Sequence, residues 1–465
     1  MRRTLLISFV FLTGCATYHA HPIAPSQLAH QFEARSLMDE GLRAFMEREL
    51  GHEIALSPQA RWNQPMLTLA AFYYSPALDI ARAQWGTAKA GIEVADAIPN
   101  PVLQLPFQRS SPNPGPGSPF TWGPALDIPI ETAGKRGYRV DQATHVAESA
   151  RLNIANEAWK VRAQVRDAML TLYAAREKVD FLSRKSDALQ EIVRMVEKRR
   201  AVGENAGPDV DAAILAATQT QADLAAARSA ERDARAQLAA AIGVPARALD
   251  AVQLDLDAFG VVPAAPPEAD AQRAAIFHRA DLLMSLADYS AAESALQLEV
   301  AKQYPDIHFG PGYTYDTGTH KIAFGLAGIT LPIFDQNQGG IAQAEAKRKE
   351  SAARTAALQD TILGDLDRNL GHYRASLDAM HIADAHLSAA RRQLDRQAAG
   401  FAAGNTDRLT YAQAKADFQV NRISRLDAIV AAQQAAGLLE DTMQSPLAAG
   451  VNRLNPSPTE KEKLK

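Results

Sequence analysis

A long helical hairpin occurs twice in this chain, and that duplication limits the fold more than any local motif does. The first copy runs from about Ala133 to Ala241 and the second from about Gly340 to Leu439. Both are rich in Ala, nearly free of Pro, and interrupted near the middle by a Gly-containing turn. In the first arm, apolar or small residues recur in steps of three and four, as in Ala158, Val161, Val165, Ala168, Leu172, Ala175, Val179 and Leu182. That spacing makes a coiled-coil seam. Consecutive fours at Ala150, Ile154 and Ala158 form a stutter, which locally unwinds a left-handed supercoil. An arm of about 65 residues at about 1.5 Å rise is roughly 100 Å long. Such a helix cannot wrap around a globular core and must pack along its length on other helices.

Each hairpin is preceded by an extended segment that ends in a Pro-Ile pair, Asp127-Ile128-Pro129-Ile130 and Thr330-Leu331-Pro332-Ile333. Upstream of the first, Leu103, Leu105 and Phe107 alternate with Gln104, Pro106 and Gln108. After a Ser/Pro/Gly loop over residues 110–118, Phe120 and Trp122 open a return strand down to Ile130. In the second copy Ile307, Phe309, Tyr313 and Tyr315 share one face, Asp316-Thr317-Gly318-Thr319 is a turn, and residues 320–334 return, with a bulge near Ala327-Gly328. Each repeat therefore reads as two strands followed by two long helices. Helices are also expected over residues 27–50, 75–97 and 269–303. The resulting segments are 1–14, a signal peptide; 15–98, linker and helices; 99–130, strand pair; 131–259, first hairpin; 260–305, linker and helices; 306–334, strand pair; 335–443, second hairpin; and 444–465, a disordered tail.

An apolar-aromatic strand face opposite a polar-Gly face is the pattern of a membrane barrel. Four strands cannot close one, and an open sheet edge in lipid leaves backbone groups unpaired. Several chains must then share a barrel, and threefold symmetry would give about twelve strands. The mature region has no apolar run long enough for a membrane-spanning helix, and the net charge of −4 offers nothing to nucleic acid. At the N-terminus Arg2, Arg3 and the short apolar run from Thr4 to Phe11 lead into Leu12-Thr13-Gly14-Cys15. This resembles a bacterial lipobox, with Cys15, the chain's one cysteine, as the acylated residue. His19 and His21 read as part of a polar linker.

The order of these parts resembles the TolC-like outer membrane factors. Its marks are Pro99-Asn100-Pro101, Pro129-Ile130 running to Gly134-Lys135-Arg136, Leu331-Pro332-Ile333-Phe334 with Asn337-Gln338-Gly339-Gly340, and the two mid-hairpin turns. The resemblance implies a mainly α chain that gives four strands to a trimeric twelve-stranded outer-membrane barrel and its long hairpins to a periplasmic tunnel. It implies a homotrimer in outer-membrane lipid, working with a periplasmic membrane-fusion adaptor and an inner-membrane pump, the resistance-nodulation-division type above others. It also places the two turns at the periplasmic tip, where the adaptor docks. The residues concerned are Gly203, Gly207, Asp209 and Val210 in the first turn and Gly404, Asp407 and Leu409 in the second. Asp407 is the candidate constriction residue. Family members often carry a second acid shortly after it, where this chain has Thr410.

No catalytic constellation is present. HExxH, P-loop and nucleophile-elbow patterns are absent, and His381 and His386, five apart, do not share a helix face as an i, i+4 metal pair would. The expectation is a passive duct for small molecules or metal ions, with no enzyme activity, cofactor or metal centre. The competing readings are a duct for protein secretion and a lipid-anchored coiled coil without a pore.

Overall fold

The computed structural model describes residues 17–54, 60–111, 118–316 and 318–447. Cys15, the signal peptide and the tail beyond residue 447 lie outside them, as do residues 112–117 of the first strand loop. In chain order come α1 (Pro25–Ala34), α2 (Glu40–Leu50), β1 (Arg61–Trp62), α3 (Gln64–Tyr74) and α4 (Pro76–Asp96). The first repeat follows with β2 (Val102–Gln104), β3 (Phe107–Arg109), β4 (Phe120–Trp122), β5 (Ala125–Ile130), α5 (Lys135–Ala201) and α6 (Gly207–Ile242). After β6 (Gln253–Leu254) come α7 (Glu268–Phe277) and α8 (Ala280–Ala301). The second repeat is β7 (Ile307–Phe309), β8 (Gly312–Asp316), β9 (Thr319–Ala323), β10 (Leu326–Ile329), α9 (Gln338–Ala402) and α10 (Arg408–Met443).

The long arms α5 and α9 contain 67 and 65 residues, and each is about 100 Å long. Their partners α6 and α10 contain 36 residues each and cover only the half nearer the turns. In the other half α4 and α8 take over. The neighbours are α4–α5–α8–α9 in the tier nearer the strands and α6–α5–α10–α9 in the tier nearer the turns. Where the tiers meet, the main core gathers Leu37, Trp62, Leu67, Met169, Leu172, Leu238 and Ile242, with the parallel β1–β6 pair at its side.

Two helices expected as continuous are each broken once, and one further helix is present. The helix expected over residues 27–50 is broken at Arg35, whose backbone is extended and whose guanidinium donates to the carbonyls of Tyr74 and Gly243 at 3.3 and 2.7 Å. The helix expected over residues 269–303 is broken at His278-Arg279, where Arg279 forks onto Asp281 and donates to the Thr442 carbonyl. Helix α3 was not read from the sequence because residues 67–71 are all buried and show no periodicity.

Each of the four long strands is kinked once: at Leu105-Pro106, Gly123-Pro124, Gly310-Pro311 and Phe324-Gly325. The kinks lie side by side, since Tyr313 N donates to Pro124 O and Leu126 N donates to Pro311 O, both at 2.9 Å. Proline cannot supply a ladder donor, so the turn in direction occurs where three of the four strands lack one. At Gly123 an added Cβ would sit 1.9 Å from the Tyr313 carbonyl oxygen, so only glycine fits. The expected bulge is present as a register shift between Leu326 and Gly328. The last strand ends at Ile329 rather than continuing to Phe334, unlike β5, which runs through Pro129 to Ile130.

All pairings in this sheet are antiparallel, and its four long strands lie in chain order. The segments 102–109 and 319–329 are therefore open edges. The result is a curled half-barrel on top of a slab of helices four across.

Candidate functional site

The sheet has two chemically distinct faces. Leu103 pairs with Leu126, Phe107 with Trp122, Trp122 with Tyr315, Tyr313 with Ile322, and Ile128 with Phe309. This makes one apolar surface continuous across four strands. Much of it is exposed: Leu103 57%, Phe107 69%, Ile322 73% and Phe324 76%. Trp122 lies 6.1 Å from Tyr313 and 6.3 Å from Tyr315, ring to ring. The opposite face is polar. Thr121 Oγ1 donates to Asp316 at 2.9 Å, Lys321 Nζ reaches the same carboxylate at 2.8 Å, and His308 Nδ1 lies 2.8 Å from Asp127. Among the described residues no helix is long and apolar enough to cross a membrane. A large exposed apolar patch on strands with polar backs fits lipid outside and water inside.

The sheet is held to the helices by charge. Lys135 Nζ donates to the Tyr304 carbonyl and to Asp306 at 2.6 and 2.8 Å. Arg139 is bidentate to Glu131 and also caps the C-terminal end of α4 through the carbonyls of Ala95 and Ala97. In the second repeat the Asn337 amide, at the start of α9, instead ties that helix to α8, donating to both the carbonyl and the carboxylate of Glu299 at 2.8 Å.

At the other end are the two turns. Gly203 and Gly404 have φ of +83° and +75°, the left-handed conformation that closes each helix. Gly207 opens α6, and Asp209 folds back to accept from Ala206 N at 3.1 Å and Asn205 Nδ2 at 3.2 Å. Val210 is buried with Leu189, Ile192 and Val196, and Leu409 packs against the same cluster. Asp407 is the N-cap of α10 and accepts from Thr410 N at 2.8 Å. Its other oxygen accepts from Arg199 Nη2, at the end of α5, at 2.5 Å. Hydrogen bonds from the Thr410 side chain, the Thr410 backbone and Arg199 lower its carboxyl to about 2. Thr410 therefore supplies a donor to Asp407 where a second acid would repel it.

Two more cross-hairpin links were not visible in the sequence, their partners being more than 200 residues apart. Arg408 Nε donates to Glu191 at 2.5 Å and Lys415 Nζ lies 3.3 Å from it. The hydrogen bond from Arg408 is the main cause holding the Glu191 carboxyl below its ordinary range. Midway along the slab a buried cluster joins α5 to α10. Arg162 Nη1 donates to Glu440 at 2.9 Å, Arg166 Nη2 donates to Asp441 at 2.8 Å, and Trp159 Nε1 donates to Asp441 at 3.0 Å. Gly437 makes room for it, since a Cβ there would lie 2.7 Å from the Arg166 guanidinium. Among the described residues no three His, Cys, Asp or Glu converge on a metal position.

Residues 71–244 and 272–441, which are the two repeats with the helices leading into them, each match the outer membrane efflux protein family. The chain belongs to that family. It is 27% identical over 369 residues to the cobalt-zinc-cadmium resistance protein CzcC of Cupriavidus metallidurans, spanning 78% of this chain and 85% of that one. Its fold is similar to that of the outer membrane protein VceC of Vibrio cholerae, with a TM-score of 0.67 and 19% identity over 83% of this chain and 97% of VceC. The open-state MtrE outer membrane channel of Neisseria gonorrhoeae gives 0.65 and 16%, over 83% and 89%. The protein is thus an outer-membrane exit duct of a tripartite efflux system, a class of transport protein, with its sheet in the membrane and its hairpins in the periplasm. Such ducts work with an adaptor and an inner-membrane pump.

Proposed function

We propose that three copies of this chain form one duct, anchored by acylation of Cys15, that discharges divalent transition-metal ions. The open sheet carries the trimer. Its apolar face is continuous across all four strands while both edges lack partners among the described residues. In lipid each unpaired edge group costs several kcal/mol, so copies must join edge to edge. Three copies give about twelve strands.

The cargo follows from CzcC, whose name records resistance to cobalt, zinc and cadmium and whose likeness to this chain spans both repeats. The duct needs no metal site for this, since a passive conduit need not hold what it passes and the pump can select. Energy is supplied by the pump, of the resistance-nodulation-division type. The adaptor docks at the tip on the turns that carry Gly203, Gly207, Asp209 and Val210, and Gly404, Asp407 and Leu409. Three copies of Asp407 then face the narrowest point. Each carboxylate is engaged by Arg199, so the ring presents little free negative charge until that pair parts.

The test is a strain lacking the gene, challenged with cobalt, zinc and cadmium salts and with dyes, detergents and antibiotics. Selective sensitivity to the metals is expected. Sensitivity to dyes and antibiotics without metals overturns the cargo, and loss of exported proteins alone would make this a secretion duct.

A further inference from the structure

The lower tier, α6–α5–α10–α9, ends in α6 on one side and α9 on the other. Helix α9 has no buried residue between Arg374 and Ala402; α10 is its neighbour there, with α7 touching it at the upper end through Arg374 and Leu377. Helix α6 meets α5, with α3 and residues 246–251 beside its upper end, and among the described residues its outer side is bare. These faces continue the two open sheet edges, because α9 follows strand 319–329 and α6 lies on the side of strand 102–109. A ring closed by rotation alone moves no copy along the axis, so residues that meet across its seam lie at equal heights.

Heights follow from helix rise, because the two turns are level, tied by Arg199 and Asp407. Arg232 lies about 38 Å along α6 from Gly207, and Asp378 lies about 36 Å along α9 from Ala402. Asp211 lies about 6 Å up α6 and Arg396 about 9 Å up α9. Arg392 follows at about 15 Å. All five side chains lie on exposed residues, on the side of the helix away from its own partner. Among the described residues none of them makes an ion pair within its own chain; on α9 the other charged residues of this stretch do, as Arg391 does with Asp395 and Asp384 with Arg425, whereas on α6 only Glu231 and Arg235 are paired. Exposed Leu215 on α6, 71%, and Ile382 on α9, 61%, lie on the same two faces.

We propose that α9 of one copy packs on α6 of the next in a register set by opposite charges, Asp378 with Arg232 and Arg396 with Asp211. The seam rests on the ring-shaped duct proposed above and adds to it a register and a direction. The interface is heterologous, with different faces on its two sides, so it closes a ring rather than stopping at a two-fold dimer.

The experiment uses the full-length protein in membranes and a short thiol cross-linker. Ala225 and Ala385 lie at about 27 and 26 Å, both exposed. The pair Ala225→Cys with Ala385→Cys is expected to yield chains linked up to three, and each single variant none. Ala225→Cys with Ala399→Cys, offset by about 20 Å, is expected to stay unlinked. Arg232→Asp should lower the in-register yield severalfold, and adding Asp378→Arg should restore it. Three-chain particles that fail to link at Ala225 and Ala385, or a reversed pair that does not recover, overturn the seam and leave the duct intact. A particle of one chain overturns both.

Discussion

The two repeats share one plan and differ in what surrounds them. Helix α5 buries 17 of its 67 residues, and its counterpart α9 buries 5 of 65. The difference comes from position, since α5 lies between α4 and α8 in one tier and α6 and α10 in the other, while α9 is an outer helix in both. Composition does not explain it, for both are Ala-rich coiled-coil sequences. A duplicated hairpin thus gives one arm that completes a core and one that presents a face. The starts of the two long arms diverge too, with Lys135 and Arg139 tying α5 to residues beside the strands and Asn337 tying α9 to α8.

Four perturbations break or sharpen that comparison. The largest effect is expected at Gly123, in the first repeat, where Ala would drive its Cβ into the backbone of the second. Gly123→Ala should abolish the assembled, detergent-extractable form. Gly404→Ala has open space around it and bears only a left-handed backbone, at about 1–2 kcal/mol. Gel mobility before and after heating separates the two.

Next comes the buried cluster of α5. Arg162→Met leaves Glu440 short of one partner at a site where both side chains are about nine-tenths buried, and should cost about 3 kcal/mol in chemical denaturation. On the exposed arm, removing Arg374, 3.8 Å from Glu268, should cost well under 1 kcal/mol. Equal losses would mean that α9 is as buried as α5.

At the tip, Asp407→Ala removes a helix cap and an ion pair at once. The cap makes the expected loss about 1 kcal/mol, and the exposed pair adds a few tenths at most. Its clearer readout is conductance, which should rise as the two hairpins part. Unchanged conductance and cation preference would remove Asp407 from the constriction.

The smallest effect is on pH. The Asp407 carboxyl is lowered to about 2 by Thr410 and Arg199, and Glu191 is lowered by Arg408. A lowered carboxyl stabilises the fold fully above its unfolded value, about 4, and that contribution is lost as pH falls through the folded value. Closed-state conductance should therefore be flat from neutral pH down to about 5 and climb only between about 4 and 2. A rise near pH 6 would point to another group.

The hairpins were legible because their apolar spacing is set by the helix itself and persists for about 60 residues. Val161, Val165, Leu172 and Leu182 are on the seam and buried. The strands were legible from alternation, but their kinks were not, although Pro106, Gly123-Pro124 and Gly310-Pro311 all stood in the sequence. Alternation keeps its parity through a kink, so it hides one. Helix α3 has no polar face to reveal its period. The cross-hairpin pairs Arg199–Asp407 and Arg166–Asp441 depend on which arms become neighbours, and residue spacing carries no record of that.

The most direct test of the central claim, a duct completed by other copies, is the number of chains in the detergent-extracted particle together with its conductance in a planar bilayer. Three chains forming one gated pore is the predicted result. A single chain, or a particle that never conducts with the tip residues removed, would contradict it.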